Sequence, residues 1–229
     1  MNEIIQIKDI EMDYNPTTRA LDGITLEIEK GEWATIMGPS GSGKTTLLNI
    51  IGCLEKPTSG NVIVEETEVT ALNQKQLTRF RRENFGFIFQ QFHLVPYLTA
   101  LENVMLSQYF LHGRKIKEED AITALERVGL EHRMDHIPSH MSGGEQQRVS
   151  IARALVCEPA ILLADEPTGN LDSKTGNVIL ELLKSLHSEG HTILMVTHDI
   201  NIGRMGERII QLIDGKISQD KQNSVEYDN

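Results

Sequence analysis

The strongest chemical signal in the 229-residue sequence is Gly38-Pro39-Ser40-Gly41-Ser42-Gly43-Lys44-Thr45, which fills every fixed position of a phosphate-binding loop. Small residues in such a run let successive backbone N–H groups converge on phosphate oxygens, and a helix starting at its end adds a positive pole. Lys44 then reaches the β- and γ-phosphates of a nucleotide and the Thr45 hydroxyl takes Mg²⁺, with Gly38, Ser40, Gly41, Ser42, Gly43 and Thr46 completing the binding set. A glycine-rich turn with an incidental lysine is the plain alternative. The apolar stretch 33–37 before the run and the helical pattern after it weigh against that. A second pair, Asp165 and Glu166, closes the apolar run 160–164. Asp165 can hold Mg²⁺ directly or through water, and Glu166 can polarise a water for in-line attack on a γ-phosphate. Alone, two acids after a strand are more often a solvated strand end or a helix cap. With the upstream loop they become a catalytic candidate.

Such groups need a rigid frame, and the sequence supplies the pattern for one. Short β-branched runs alternate with helical periodicity, which predicts an α/β fold of the P-loop NTPase kind with a mostly parallel central sheet. Strands are expected at 33–37, 85–89, 160–165, 192–197 and 208–213, and helices at 44–52, 73–82, 118–128, 145–156 and 174–188. Residues 4–14 and 21–28 read as paired strands joined by a polar turn at 15–19, an N-terminal antiparallel β layer. From about 91 to 141 strand signals stop and polar helical sequence takes over, including the charged run 115–120, so an inserted helical subdomain is expected. One nucleotide-binding domain over 1–218 and an irregular, disordered polar tail over 219–229 follow.

A phosphate loop alone leaves kinases, GTPases, helicases and transport ATPases open. Met141-Ser142-Gly143-Gly144-Glu145-Gln146-Gln147-Arg148 narrows the choice. Here the sequence resembles the ATP-binding cassette (ABC) ATPases, whose signature is Leu-Ser-Gly-Gly-Gln or a close variant, and the resemblance runs from Tyr14 to about Ser218 with the motifs in family order. It implies that Tyr14 stacks on adenine and that Gln90 joins core to insertion, binding nucleotide and Mg²⁺. It also implies that Gly169-Asn170-Leu171-Asp172 contacts the opposite subunit and that His198 touches the γ-phosphate. Singly, Tyr14 would be a strand-surface aromatic, Gln90 a loop amide and His198 a helix cap. Ser142, Gly143 and Gly144 lie where a loop enters a helix, so their N–H groups and the helix dipole offer an anion site. In this family that site faces the other subunit's nucleotide. One chain carries one loop and one signature, so the resemblance implies a homodimer closing around two ATP. Met141 and Glu145 depart from the usual Leu and Gln. Glu145 brings negative charge near the polyphosphate, although a first-turn acid also suits the helix dipole.

The phrases Gly86-Phe87-Ile88-Phe89-Gln90-Gln91-Phe92, Leu98-Thr99-Ala100-Leu101-Glu102-Asn103-Val104 and Ile50-Ile51-Gly52-Cys53-Leu54 are most similar to the LolD/MacB-type branch. The resemblance implies an ATP-hydrolysing subunit on the cytoplasmic face of the membrane, driving a separately encoded integral membrane permease. A regulatory ATPase that signals through a membrane partner without transport uses the same engine and stays open. A soluble ABC ATPase acting on DNA or ribosomes fits less well, since no tandem cassette or long coiled-coil insertion is visible.

Composition narrows the field further. With 22 Lys+Arg against 33 Asp+Glu the formal charge is −11, which excludes a broad nucleic-acid surface. No apolar run reaches the roughly 18 residues needed to cross a bilayer, so no direct membrane insertion is expected. Two cysteines in unrelated contexts fit a reduced compartment better than a disulfide scaffold. His132, His136 and His140 recur every four residues, but Pro138 breaks the helix that would align them, and they read as surface histidines. Arg79, Arg81 and Arg82 read as a solvated face or subunit contact. Phe92, Leu94, Val95, Pro96, Tyr97 and Leu98 form an apolar run with two readings, burial in the insertion's core or a groove for a permease helix.

Overall fold

Two kinds of apolar run in the sequence become two kinds of strand. The computed structural model describes residues 3–112 and 117–223. In chain order its elements are β1 (Glu3–Asn15), β2 (Thr18–Glu29), β3 (Trp33–Met37), α1 (Lys44–Ile51), β4 (Ser59–Val64), β5 (Thr67–Glu68), α2 (Gln74–Asn84), β6 (Phe85–Phe89) and α3 (Ala100–His112). There follow α4 (Glu118–Arg127), α5 (Gly143–Leu155), β7 (Ile161–Asp165), α6 (Ser173–Ser188), β8 (Thr192–Thr197), α7 (Ile200–Gly203), β9 (Arg208–Ile213) and β10 (Lys216–Gln222). The chain divides into two compact units, Met1–Thr78 with Gly190–Asn229, and Arg79–Glu189.

In the first unit, β2, β1, β4 and β5 lie side by side in an antiparallel sheet. Leu21, Ile24, Leu26 and Ile28 of β2 are buried while Thr25 and Glu27 between them are exposed, the two-residue period of a strand with one wet face. The predicted β1–β2 pair is present, with the polar turn narrowed to Pro16 and Thr17. β3 and β8 are instead buried along their whole length, and they pair in parallel from Trp33 opposite Ile193 to Met37 opposite Thr197. Continuous burial of this kind belongs to strands covered on both faces. β9 pairs in parallel with β3 on its other edge, and β10 returns antiparallel to β9. That hairpin turns on Asp214 and Gly215, both at positive φ (+47° and +75°), as a two-residue turn between twisted strands requires.

β10 corrects one expectation. The irregular tail does not start at 219, because Gln219, Asp220, Lys221 and Gln222 pair with β9, and Asp220 accepts two hydrogen bonds from the Arg208 guanidinium at 2.6 Å each. A polar edge strand carries no apolar signal, so the pattern is silent there. Residues 224–229 lie outside the described ones.

The second unit holds β6 and β7, paired in parallel from Phe85 opposite Ile161 to Phe89 opposite Asp165. Its helices bury Val104 of α3, Ala121 and Leu125 of α4, Val149 and Ile151 of α5, and Ile179, Leu183 and Leu186 of α6. Within 91–141 the described residues form α3, α4 and a short 3-10 turn at Pro138–His140, with no strand among them. Part of the charged run 115–120 lies outside the described residues.

Candidate functional site

The phosphate loop leaves β3 at Gly38 and enters α1 at Lys44. Glycine is required at its bends: a Cβ on Gly38 (φ +156°) would lie 2.1 Å from the Leu212 carbonyl oxygen, and one on Gly43 (φ +100°) 2.5 Å from that of Ala20. Gly43 caps α1 without a side-chain hydrogen bond, and no acid stands in the helix's first turn. No side-chain cap or first-turn acid of its own therefore offsets the dipole at its start. Lys44 is buried, with Nζ donating to the Pro39 carbonyl at 2.7 Å, and the buried Ser42 hydroxyl has no hydrogen-bond partner among the described residues. An uncapped helix start, a lysine folded over its own loop and an unpartnered hydroxyl fit a polyphosphate.

Tyr14, at the end of β1, is about half exposed. Its hydroxyl donates to Glu55 Oε2 at 2.7 Å and lies 3.1 Å from Thr46 Oγ1, which ties the ring to α1. Asn49 Nδ2 holds the other Glu55 oxygen at 3.0 Å. Partial burial raises the Tyr14 hydroxyl above the usual phenol range, and the Glu55 carboxylate adds to the rise while the Thr46 contact opposes it. Also in this unit, His198 is exposed just past β8, and the adjacent helix is capped by Asp199, whose carboxylate accepts the Asn201 N–H at 2.8 Å. His198 is thus not the cap of that helix.

In the second unit, Asp165 ends β7, and Glu166 follows at φ +45°. That left-handed conformation costs a non-glycine residue on the order of 1–2 kcal/mol, and such strain collects at functional sites. The Glu166 carbonyl accepts the Gly169 N–H at 3.0 Å, and buried Gln147 donates to the Pro167 and Phe89 carbonyls. Gln90, just past β6, donates to Asn170 Oδ1 at 3.3 Å, and Asn170 Nδ2 returns a bond to the Gln90 carbonyl at 2.9 Å. Asp172 caps α6, and the Thr175 hydroxyl and backbone N–H hold its carboxyl below the usual range. The hydroxyl, amide and carboxylate oxygens of Thr45, Gln90 and Asp165 are hard donors of the kind Mg²⁺ takes.

The signature forms the start of α5 as a complete capping box. Glu145 N–H donates to Ser142 Oγ at 3.3 Å, and Glu145 Oε2 accepts from Ser142 N–H at 2.7 Å and from Ser142 Oγ at 2.8 Å. Glu145 Oε1 accepts from Arg133 Nε at 2.9 Å. The Ser142 N–H, then the Ser142 hydroxyl and Arg133, hold the Glu145 carboxyl below the usual range against the opposing effect of burial. Its charge is therefore engaged by its own helix start and a nearby cation.

The apolar run past Gln90 is not core. Tyr97 is 87% exposed and Val95 38%, and they sit on a loop fixed from beneath. Fully buried Asn103 accepts the Val95 N–H at 2.7 Å and donates to the Leu98 and Thr99 carbonyls, and Arg153 donates to the Phe92 and His93 carbonyls. Of the histidines, His132 is exposed beside Glu131 and His136 lies 3.2 Å from an Arg133 nitrogen. Arg79 pairs with Glu83 on an exposed face of α2.

Each unit thus gathers part of the predicted set. The first holds Tyr14, the loop 38–46 and His198, and the second holds Gln90, the signature, Asp165, Glu166 and Asp172. Glu55, Arg133, Asn170, Thr175 and Arg153 escaped the sequence reading as supporting residues. Only Asn170, inside a quoted motif, carried any signal.

Comparison with known proteins identifies the family. The family model described as ABC transporter matches residues 21–169. An ABC transporter ATP-binding protein of Methanocaldococcus jannaschii, MJ0796, is 49% identical over 228 residues, covering 96% of this chain and 97% of its own. A macrolide export ATP-binding/permease protein, MacB, of Vibrio parahaemolyticus is 45% identical over 96% of this chain, which spans only 34% of MacB. The solved dimeric structure of the MJ0796 cassette in a post-hydrolysis state, bound to ADP and Pi, matches with a TM-score of 0.87 at 46% identity, covering 95% of this chain and 98% of that one.

Proposed function

The chain belongs to the ABC transporter family, and on that premise we propose that it is the ATP-binding and ATP-hydrolysing subunit of a transporter, pairing with a second copy around two ATP. The observation that carries this is the pair of helix starts within one chain, the uncapped one behind the phosphate loop and the capped one at the signature. MJ0796 forms a dimer with ADP and Pi, and a signature that serves its neighbour's nucleotide explains why both helix starts are kept in one chain.

The residue roles join this chemistry to what the family resemblance implies. Lys44 and the backbone N–H groups from Ser40 to Thr46 hold the phosphates, and the Tyr14 ring stacks on the adenine. Mg²⁺, taken by Thr45, Gln90 and Asp165, would offset charge on the β- and γ-phosphates. Glu166 accepts a proton from the attacking water as the new P–O bond forms and the bond to the β-phosphate oxygen breaks. His198 contacts the γ-phosphate. Gly143 and Gly144 serve the partner's nucleotide with N–H donors, Ser142, whose own N–H is taken by Glu145, fixes their helix start together with that residue, and Asp172 meets the partner. Loss of the γ-phosphate then reopens the dimer.

No helix among the described residues is long and apolar enough to cross a membrane. MacB carries a permease in its name, and the exposed Val95–Tyr97 loop offers an apolar contact for such a partner. We place the chain on the cytoplasmic face, attached through that permease. Glu166→Gln tests the assignment: it is expected to leave ATP binding intact, stop turnover and accumulate an ATP-bound dimer by size-exclusion chromatography. A fully active variant overturns it.

A further inference from the structure

The starts of α5 and α6 meet at one side chain that the roles above leave out. A Cβ on Gly143 would lie 3.3 Å from Leu171 Cδ2, and one on Gly144 would lie 2.2 Å from Thr175 Cγ2, a separation real atoms do not adopt. The Thr175 methyl therefore sits where any side chain at 144 would have to go. It is not free to swing aside. Thr175 Oγ1 donates to Asp172 Oδ2 at 2.7 Å while its backbone N–H donates to Asp172 Oδ1 at 3.0 Å, so turning χ1 to move the methyl takes the hydroxyl off Asp172.

We propose that Thr175 is a positioning residue of the composite ATP site, its methyl spacing the signature helix at Gly144 and its hydroxyl holding Asp172, so that the two loops offered to the partner subunit act as one rigid piece. The inference rests on the composite-site reading of the signature and adds to it the residue that joins signature and subunit-contact loop. Were Thr175 only part of the α6 cap, its N–H on Asp172 would suffice and the residue at 144 would be indifferent to it. The geometry makes the two positions interdependent.

A mutant cycle in the full chain tests this, with Glu166→Gln as the parent and Gly144→Ala, Thr175→Ser and both together added to it. Thr175→Ser removes the methyl and keeps the hydroxyl. ATP affinity is read on dilute monomer, and ATP-driven dimerisation by sedimentation velocity. Gly144→Ala is expected to weaken dimerisation about tenfold or more with ATP affinity of the monomer unchanged, because overpacking displaces the loop pair. Adding Thr175→Ser is expected to bring dimerisation back to within about threefold of the Thr175→Ser protein, the coupling expected of residues in contact. If Gly144→Ala does not fold, a folded, dimerising double variant supports the proposal in the same way. A double variant no better than Gly144→Ala, or a Gly144→Ala protein that dimerises like its parent, overturns the proposal alone. A parent that stays monomeric with ATP overturns the composite-site reading and this inference with it.

Discussion

The two helix starts that define the chain's chemistry are built in opposite ways. α1 begins with a glycine in a left-handed conformation, no capping side chain, no acid, and a lysine bent back onto the loop's own carbonyl. α5 begins with a serine cap, a reciprocal glutamate and an arginine behind that glutamate. The first leaves the positive pole of its helix without a cap or acid of its own, for a ligand that carries several negative charges. The second satisfies its cap from its own side chains and presents a start that is rigid before anything binds. A loop that must hold polyphosphate on its own needs the first design, and a loop that closes over a nucleotide already held needs the second. In the first, binding strength comes from unopposed positive charge. In the second, precision of placement matters more, and Glu145 in place of the usual Gln then adds to the cap.

The contrast breaks most completely at Lys44. Lys44→Ala removes the only side-chain cation of the loop, and ATP affinity measured by calorimetry should fall about a hundredfold or more, the loss of a charge-assisted contact. An equivalent charge change at the signature should leave monomer binding untouched. Glu145→Gln sharpens the contrast by a smaller effect, read against pH. The Glu145 carboxyl is held low by Ser142 and Arg133, so its ionised form stabilises the fold above the ordinary carboxylate pKa of about 4.3 and that stabilisation is lost as pH falls through the depressed value. The thermal midpoint of the unaltered chain should therefore exceed that of Glu145→Gln most at neutral pH, and the gap should close on acidification. A gap that stays constant down to pH 3 would show that the carboxylate is not held as the capping box requires.

Legibility differed between the two designs in the same way. The strands at 33–37, 85–89, 192–197 and 208–213 have the bounds the sequence predicts, because a continuous apolar run has sharp edges. β4, β5 and β10 are short or polar and were not visible; β10 became a strand through pairing and the Arg208–Asp220 contact. α5 starts two residues earlier than periodicity implies, at Gly143, since a cap and not an apolar residue sets its first turn. The phosphate loop could be read nearly whole, as its function lies in backbone geometry that the glycines themselves encode. The residues that hold the other groups in place could not. Glu55 on Tyr14, Asn170 on Gln90, Arg133 on Glu145 and Thr175 on Gly144 are partners from 12 to 80 residues away, met only once the chain has folded.

The central claim is that one chain holds half of each catalytic site. Turnover per chain, measured at saturating ATP and Mg²⁺ over a wide dilution series, tests it directly. A site completed by a second copy predicts turnover per chain that rises with protein concentration and levels off once the dimer is saturated. Turnover per chain that stays constant down to the lowest concentration would mean that each chain hydrolyses ATP alone, and the account would be wrong.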